Sequence, residues 1–540
     1  MSELLLALLL ISTALLASVV VQLVLNYVLL RKSSRMRLPP GPRPWPVVGN
    51  LLQLYQGGKN LHKTLASLAQ QYGPIVYLRL GSVHTVVLSS PMMAKEFLKT
   101  HDQEFQYRPK PTLAAEILVG NNGVAMATGG PLSRHLRRIC LTELFATKHL
   151  QSFESMRTKE INNTINDIHM ESEEGKVVDL KSRISSLIIN IMTNMMFRKR
   201  YFGVDQSKQN EIHCFKEVIT EVPHWLGSLI ISDYIPSLRW LVRLQGIEAS
   251  LHALRHKKSQ FIQNLIAEHK NVAIEVDQVK DSGNENVAKT TKDFVDILLS
   301  APQEDGTGNL SEETIETLVL ELFEGGVETS SVTIEWAMAE LIRNPMIMKR
   351  AQMELETMVG MNRIIEESDL HKLTYLGAVI KETFRLHPPV PLLLPRSSIN
   401  KVCGIAEGYD IPPHTKVMVN VWAMGRDPSI WERPFEFYPE HFLQQGQEHH
   451  HIAAEIIDMD ENNFKFFPFG SGRRACPGRS LGTLAVQIVL ARLLHSFHWV
   501  LPNHQEPNTL DMSEEFGLSL PRAQQLHLKA YPKLQAHLYK

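Results

Sequence analysis

Phe469-Gly-Ser-Gly-Arg-Arg-Ala-Cys-Pro-Gly478 packs three glycines, two arginines and one cysteine into ten residues. Glycine at this density lets the backbone approach something bulky and flat. A lone thiol, Cys476, shortly after Arg473 and Arg474, suits a thiolate bound to a metal with anionic groups beside it. For these ten residues alone, the alternative is a buried structural cysteine in a turn.

The rest of the composition narrows the choice. With 56 basic and 57 acidic residues the net charge is −1, so nothing points to nucleic acid or to a strongly basic membrane-coating surface. A hydrophobic share of 44% is ample for a large core, and 540 residues permit one large enzyme core as well as several domains. Cys140, Cys214, Cys403 and Cys476 are scattered and form no Cys-x-x-Cys pair, which argues against a zinc site or a disulfide framework and for a catalytic part facing a reducing compartment.

Leu4 to Leu30 is uncharged and mostly Leu, Val and Ala, long enough to reach about 40 Å as a helix and span a bilayer. Arg31, Lys32, Arg35 and Arg37 follow it while only Glu3 precedes it, which puts the N-terminus in the lumen and the body in the cytosol. A cleaved signal peptide is the rival, but its basic residues should come first and its apolar run should be shorter. Leu38 to Pro46 then holds five prolines and reads as a stiff, extended connector. The expected division is therefore a signal-anchor over 1–30, a basic and Pro-rich linker over 31–50, and one catalytic domain over 51–540. Within that domain Ile75–Leu80 and Thr85–Leu88 read as a hairpin around Gly81-Ser82, and residues 150–270 as mainly helical, with Ile184, Leu187, Ile188, Ile191 and Met195 as core. Glu275–Lys292 and Gln444–His451 read as exposed loops.

Ser311, followed by Glu312 and Glu313, opens a helical run that Asn344-Pro345 stops. In its middle stands Gly325-Gly326-Val-Glu328-Thr329-Ser330, where two adjacent glycines cost about 1 kcal/mol each relative to alanine and call for a compensating use. A close helix contact beside exposed Glu and Thr is the plain alternative. Farther on, Glu382 and Arg385 have the i, i+3 spacing of an ion pair on one helix face, and Leu386-His-Pro-Pro-Val390 ends that helix at once.

Together these stretches resemble the cytochrome P-450 family, closest to its plant microsomal members, over about residues 38–525. The loop at 469–478 fits the family's Phe-x-x-Gly-x-Arg-x-Cys-x-Gly haem-binding pattern at every specified position, and the glycine pair with Glu328 and Thr329 resembles its oxygen-handling motif. The resemblance implies a mainly α fold with small β-sheets and a haem b (iron protoporphyrin IX) with Cys476 as axial thiolate. It implies that Phe469, Gly470, Gly472 and Gly478 shape the haem loop, and that Arg474, Arg396 and Arg137 bind propionates. Ser133 stands where a haem-binding tryptophan is usual, and His441 where an arginine usually completes a network with Glu382 and Arg385.

For catalysis the resemblance implies that Glu328 and Thr329 handle oxygen and protons over the haem, where the helix opens. Val390 and Leu392–Leu394 would face substrate, as would residues between Tyr107 and Pro131 and near Phe516–Leu518. The implied activity is a monooxygenase acting on a fatty acid, terpenoid, phenylpropanoid or flavonoid, with electrons from NADPH through a separate flavoprotein reductase docking near Lys465, Arg473, Arg479 and Arg138. The implied address is the endoplasmic reticulum membrane, single-pass. A haem-thiolate isomerase or lyase acting on hydroperoxides, and a non-catalytic haem sensor, are the rivals, and neither has a use for Glu328 and Thr329.

Overall fold

Four short strands from two distant stretches of the chain meet in one sheet beside a body of helices. The computed structural model describes residues 13, 36–56, 60–203, 218, 221, 222, 224–281, 292–304, 306, 308–443, 464–515 and 517–539, with backbone alone at 272–281. The expected anchor over 4–30 (Thr13 apart), the loop 444–451, Cys214 and Phe516 lie outside the described residues. Among the described residues no helix is long and apolar enough to cross a membrane.

The strands are β1 (Ile75–Leu80), β2 (Val83–Leu88), β3 (Arg396–Ser397) and β4 (Lys416–Val419), ordered β1-β2-β4-β3. β1 and β2, rich in β-branched and other apolar residues, form the expected hairpin, with Ile75 opposite Leu88 and Leu80 opposite Val83. β4 joins β2 in parallel, and β3 pairs antiparallel with β4 through Arg396 and Val417, which fixes where Arg396 starts. The proline-rich stretch lies against this sheet: the Tyr77 amide donates to the Pro40 carbonyl at 2.8 Å. A Cβ on Gly41 would come within 1.9 Å of the Tyr77 carbonyl oxygen, so only glycine allows that approach.

The helices that build the site are α1 (Pro131–Ile139), α2 (Leu180–Phe197), α3 (Ile247–Asp281), α4 (Glu312–Arg343), α5 (Thr374–Leu386) and α6 (Arg479–Ser496). α3 overruns the expected loop at 275 because no glycine or proline interrupts it before Gly283. α4 starts where its signals place it, with the Ser311 hydroxyl accepting from the Thr314 amide, and ends at Asn344. It packs against α2 and α6 in one large core, to which Ile184, Leu187, Ile188, Ile191 and Met195 of α2 all contribute. Trp336 of α4 stacks on His387 at 3.9 Å and donates to the Leu520 carbonyl at 2.8 Å, tying α4 to the end of α5 and to the C-terminal loop.

The two central glycines of α4 have different surroundings. A Cβ on Gly326 would sit 2.8 Å from Cε of Met192, so this glycine sets the approach of α2, whereas a Cβ on Gly325 meets nothing within 4 Å. The helix does not open at this pair as the resemblance implies. It runs unbroken, and the Thr329 hydroxyl donates to the Gly325 carbonyl at 2.6 Å. Gly325→Ala should therefore stabilise the fold by up to about 1 kcal/mol through helix propensity. In Gly326→Ala that gain is offset by displacement of Met192, so thermal unfolding should rank Gly325→Ala above Gly326→Ala; equal midpoints would contradict this packing.

Candidate functional site

Between α4 and the loop that precedes α6 lies a cavity of about 310 Å³. Cys476 and Gly478 line it on one side, and Gly325, Gly326, Glu328 and Thr329 of α4 line it too. The loop folds on itself because its glycines adopt positive φ: Gly470 at 70° and Gly472 at 65°. The Cys476 amide donates to the Phe469 carbonyl at 2.8 Å and the Ala475 amide to the Gly472 carbonyl at 3.0 Å, which presents the thiol at the turn. A Cβ on Gly472 would come within 2.7 Å of the Leu98 carbonyl oxygen and 2.6 Å of Asp102, so the loop closes there only with glycine. Phe469 packs edge-on against Phe384 of α5 at 5.4 Å. Burial pushes the Cys476 thiol up, while the Gly478 amide and the charges of Arg137 and Arg479 pull it down.

Four guanidinium groups converge on the cavity: Arg108, Arg137, Arg396 and Arg474. Arg137 donates to the Ala475 carbonyl at 2.6 Å, and Arg474 to the carbonyls of Gln106 and Ala127 at 2.7 and 2.9 Å. Arg396 pairs with Asp102 at 2.8 Å and also donates to the Ser471 carbonyl. Arg108 reaches the carbonyls of Ala125, Leu394 and Pro395 at 2.8–2.9 Å. Burial and the neighbouring Arg474 and Arg396 push the Arg108 guanidinium down to about 9, and burial with Arg396 and Arg137 pushes Arg474 down to about 10. Asp102 and Glu321 are the acids acting on these groups, so the cluster holds a surplus of positive charge.

A thiol facing a helix across an apolar slot, with buried arginines crowded at its edge, is the arrangement of a haem-thiolate protein. The chain belongs to the cytochrome P-450 family. The family profile, described as "Cytochrome P450" in its own spelling, matches residues 39–528. A flavonoid 3'-monooxygenase of Crocosmia x crocosmiiflora is 38% identical over 98% of this chain and 98% of its own length. Its counterpart from Petunia hybrida is 39% identical, with 94% and 95% covered. A zebrafish cytochrome P-450 structure with abiraterone superposes with a TM-score of 0.67 at 24% identity, covering 87% of this chain and 99% of that one.

Membership makes the chain a P-450-type monooxygenase and implies a haem. The residues present fit that group. The apolar slot takes a flat macrocycle, Cys476 offers a thiolate, and the crowded guanidiniums call for two carboxylates. Around this slot Val390, Leu393, Leu394 and Leu518 line the cavity as expected for substrate-facing residues. Leu392 does not: it packs with Leu65, Val76 and Leu78 on the sheet side, because Leu393 takes a positive φ of 50° and turns the chain between them. On α1, Ser133 and Leu136 are buried while Arg134 and Arg138 are exposed, so of its arginines Arg137 points to the cavity.

Behind the slot, Arg385 and Glu382 are both buried and joined by two bonds, 2.8 and 2.6 Å. Arg385 also donates to the carbonyls of Gly425, Pro434 and Glu436, and the Tyr438 amide donates to Glu382 at 2.7 Å. His441 does reach this pair, with Nδ1 3.2 Å from both Glu382 oxygens. Burial raises the Glu382 carboxyl, but the hydrogen bonds from Arg385 and His441 outweigh it and leave it below its ordinary value.

Sequence reasoning missed Arg108, Asp102, Glu321 and Ser519. Arg108 lies inside the 107–131 stretch assigned to the pocket, but nothing local separates it from a surface arginine. Glu321 was legible only as one more acid on α4; its carboxylate accepts the amides of Val124, Ala125 and Met126 at 2.6–2.9 Å.

Removing either partner of the Glu382–Arg385 pair strands a buried charge, at a cost of about 3–5 kcal/mol. Glu382→Ala and Arg385→Ala should yield little haem-loaded protein, and full haem content in both would refute this role. Because the Glu382 carboxyl is held below its ordinary value of 4.5, its stabilisation is complete above that value and is lost as pH falls through the folded-state value. In an acid titration of the wild type, haem release should therefore set in below pH 4.5. Arg396→Ala, which leaves Asp102 with Arg473 alone and removes one guanidinium from the cluster, should lose haem more readily than wild type when challenged with apomyoglobin.

Proposed function

We propose that the chain is an NADPH- and O2-dependent haem-thiolate monooxygenase that hydroxylates a small phenolic metabolite, with the flavonoid skeleton as the first class to test. The observation that carries this is the pairing of Cys476 with Glu328 and Thr329 across one apolar cavity, in a chain whose relatives include flavonoid 3'-monooxygenases. In the net reaction one oxygen atom enters a substrate C–H bond and the other leaves as water, with two electrons and one proton from NADPH and a second proton from solvent. When bound, haem supplies the oxygen binding and redox chemistry, and a thiolate ligand favours O–O cleavage.

The chain's own groups supply position and protons. Cys476 is the thiolate ligand, and Phe469, Gly470, Gly472 and Gly478 hold its loop in shape. Arg137, Arg396 and Arg474, joined by Arg108, would pair with the two propionates of a bound haem. The Thr329 hydroxyl, held by the Gly325 carbonyl, keeps its oxygen free to accept from a water beside the reacting face. Glu328 accepts from the Ser519 hydroxyl, which orients the carboxylate to pass protons inward from solvent. Electrons come from a membrane-bound flavoprotein reductase docking near exposed Arg138, Lys465 and Arg473 with Arg479.

The proposed architecture is an anchor over 1–30, a linker over 31–50 and a catalytic domain over 51–540, placed on the cytosolic side of the endoplasmic reticulum. Support comes from the uncharged run at 4–30, the basic residues after it, and the exposed Trp45, Leu52 and Tyr55 where the chain enters the domain.

A reduced carbon-monoxide difference spectrum should show a band near about 450 nm, which Cys476→Ser abolishes. With reductase and NADPH, turnover of a flavonoid panel should yield hydroxylated product. In Thr329→Ala product per NADPH should fall about tenfold or more while NADPH oxidation continues. Absence of any reductase-dependent oxygen use across flavonoid, phenylpropanoid, terpenoid and fatty-acid panels would overturn the monooxygenase reading.

A further inference from the structure

Three carboxyls, Glu321, Glu324 and Glu328, stand at i, i+3 and i+7 on α4 and all line the cavity. Two of them are engaged. Glu321 holds the three amides of 124–126, and Glu328 is bonded by Ser519. Glu324 differs: its Oε1 is sealed from solvent and has no hydrogen-bond partner, although the rest of the side chain reaches the cavity. A carboxyl left without a partner in a poorly solvated site is unfavourable, and a ligand in the cavity that pairs with its other oxygen offsets that penalty.

The charged groups around Glu324 decide its form. Burial pushes its carboxyl up to about 8, Lys258 of α3 opposes this, and Glu321 and Glu328 add to it. Lys258 is itself engaged, donating to the Leu118 carbonyl at 2.5 Å and lying 3.5 Å from Glu316. At neutral pH Glu324 is thus largely a neutral acid, with an O–H to donate into an otherwise apolar cavity.

We infer that Glu324 is a specificity-determining residue whose carboxyl hydrogen-bonds an oxygen of a neutral, lipophilic substrate and so orients that substrate within the cavity that Cys476 also lines. This rests on the monooxygenase reading above and narrows it. It selects oxygen-bearing substrates over hydrocarbons of equal size, and neutral substrates over cations.

The test is equilibrium binding to the full-length, haem-loaded protein, followed by the spectral shift on ligand addition. Four probes are used: unsubstituted flavanone, a terpenoid ketone, the hydrocarbon trans-stilbene and the permanently charged aromatic cation benzyltrimethylammonium. None of the neutral probes ionises between pH 7 and 9. For wild type the flavanone Kd should rise about tenfold between pH 7 and pH 9 as the carboxyl loses its proton, while stilbene binding stays flat. Glu324→Gln, which still donates, should bind flavanone within about threefold of wild type at pH 7 and lose the pH dependence. Glu324→Leu should weaken flavanone about tenfold at pH 7 and leave stilbene unchanged or tighter.

Equal weakening of flavanone and stilbene in Glu324→Leu, or a pH dependence that persists in Glu324→Gln, would overturn the inference. So would tighter binding of the quaternary cation than of flavanone that grows with pH, since that is the signature of an ionised carboxylate taking a cation. The two readings fail separately. If flavanone does not bind wild type but the terpenoid ketone shows the Glu324-dependent pattern, the flavonoid class falls and Glu324 stands. If all variants bind and hydroxylate flavonoids alike, Glu324 falls and the class stands. Haem content and thermal midpoint are compared for each variant, and the isosteric Glu324→Gln keeps the test decisive should Glu324→Leu fold poorly.

Discussion

Glu382 and Arg385 are sealed from solvent three residues apart on α5, and much of the haem-side structure hangs on how that buried pair is satisfied. Desolvating two ions is costly, and mutual attraction alone does not cover the cost. The remaining donors of Arg385 therefore go to three backbone carbonyls, of Gly425, Pro434 and Glu436, and Glu382 takes the Tyr438 amide and His441. These contacts fasten an irregular stretch, whose own hydrogen bonds are those of short turns, onto a rigid helix. Phe384, between the two charged residues, touches Phe469, so the same helix that anchors this stretch also supports the cysteine loop.

At the opposite edge of the cavity the problem is inverted. Arg108, Arg137, Arg396 and Arg474 crowd together with little acid nearby, and their donors turn to backbone carbonyls. Such a cluster is unfavourable without anions and is organised for them. Binding of a dianionic cofactor there would be coupled to completion of the fold: losing an arginine would weaken its binding, and without it like charges remain in a poorly solvated site.

α4 joins the two requirements. Its outer turns are ordinary core, packed against α2 and α6. Its middle faces the cavity with two glycines, a hydroxyl turned back onto the helix, and three carboxyls in different states. Glu321 is fixed by amides and Glu328 by a hydroxyl, while Glu324 has an oxygen left unpaired. Three chemically identical side chains on one helix face thus acquire different states from what the neighbouring loops present to them.

The family was legible in the residues themselves, because the cysteine loop, the Gly325–Thr329 segment and the Glu382–Arg385 spacing are local patterns whose chemistry is set by neighbours along the chain. α4 was legible from its cap at Ser311 to its stop at Asn344, since capping and proline effects act within one turn. The hairpin and the buried stripe of α2 followed from periodicity for the same reason. What the tertiary structure alone decided involves partners hundreds of residues apart. Arg108 meets Pro395, Asp102 meets Arg396 and Arg473, Ser519 meets Glu328, and Leu392 turns away from the cavity that Leu393 and Leu394 line. The partner of a charge, or its lack of one, depends on which loop the fold brings to it. That is why Glu324 looks like any other glutamate in the sequence and becomes distinctive only when the cavity closes around it.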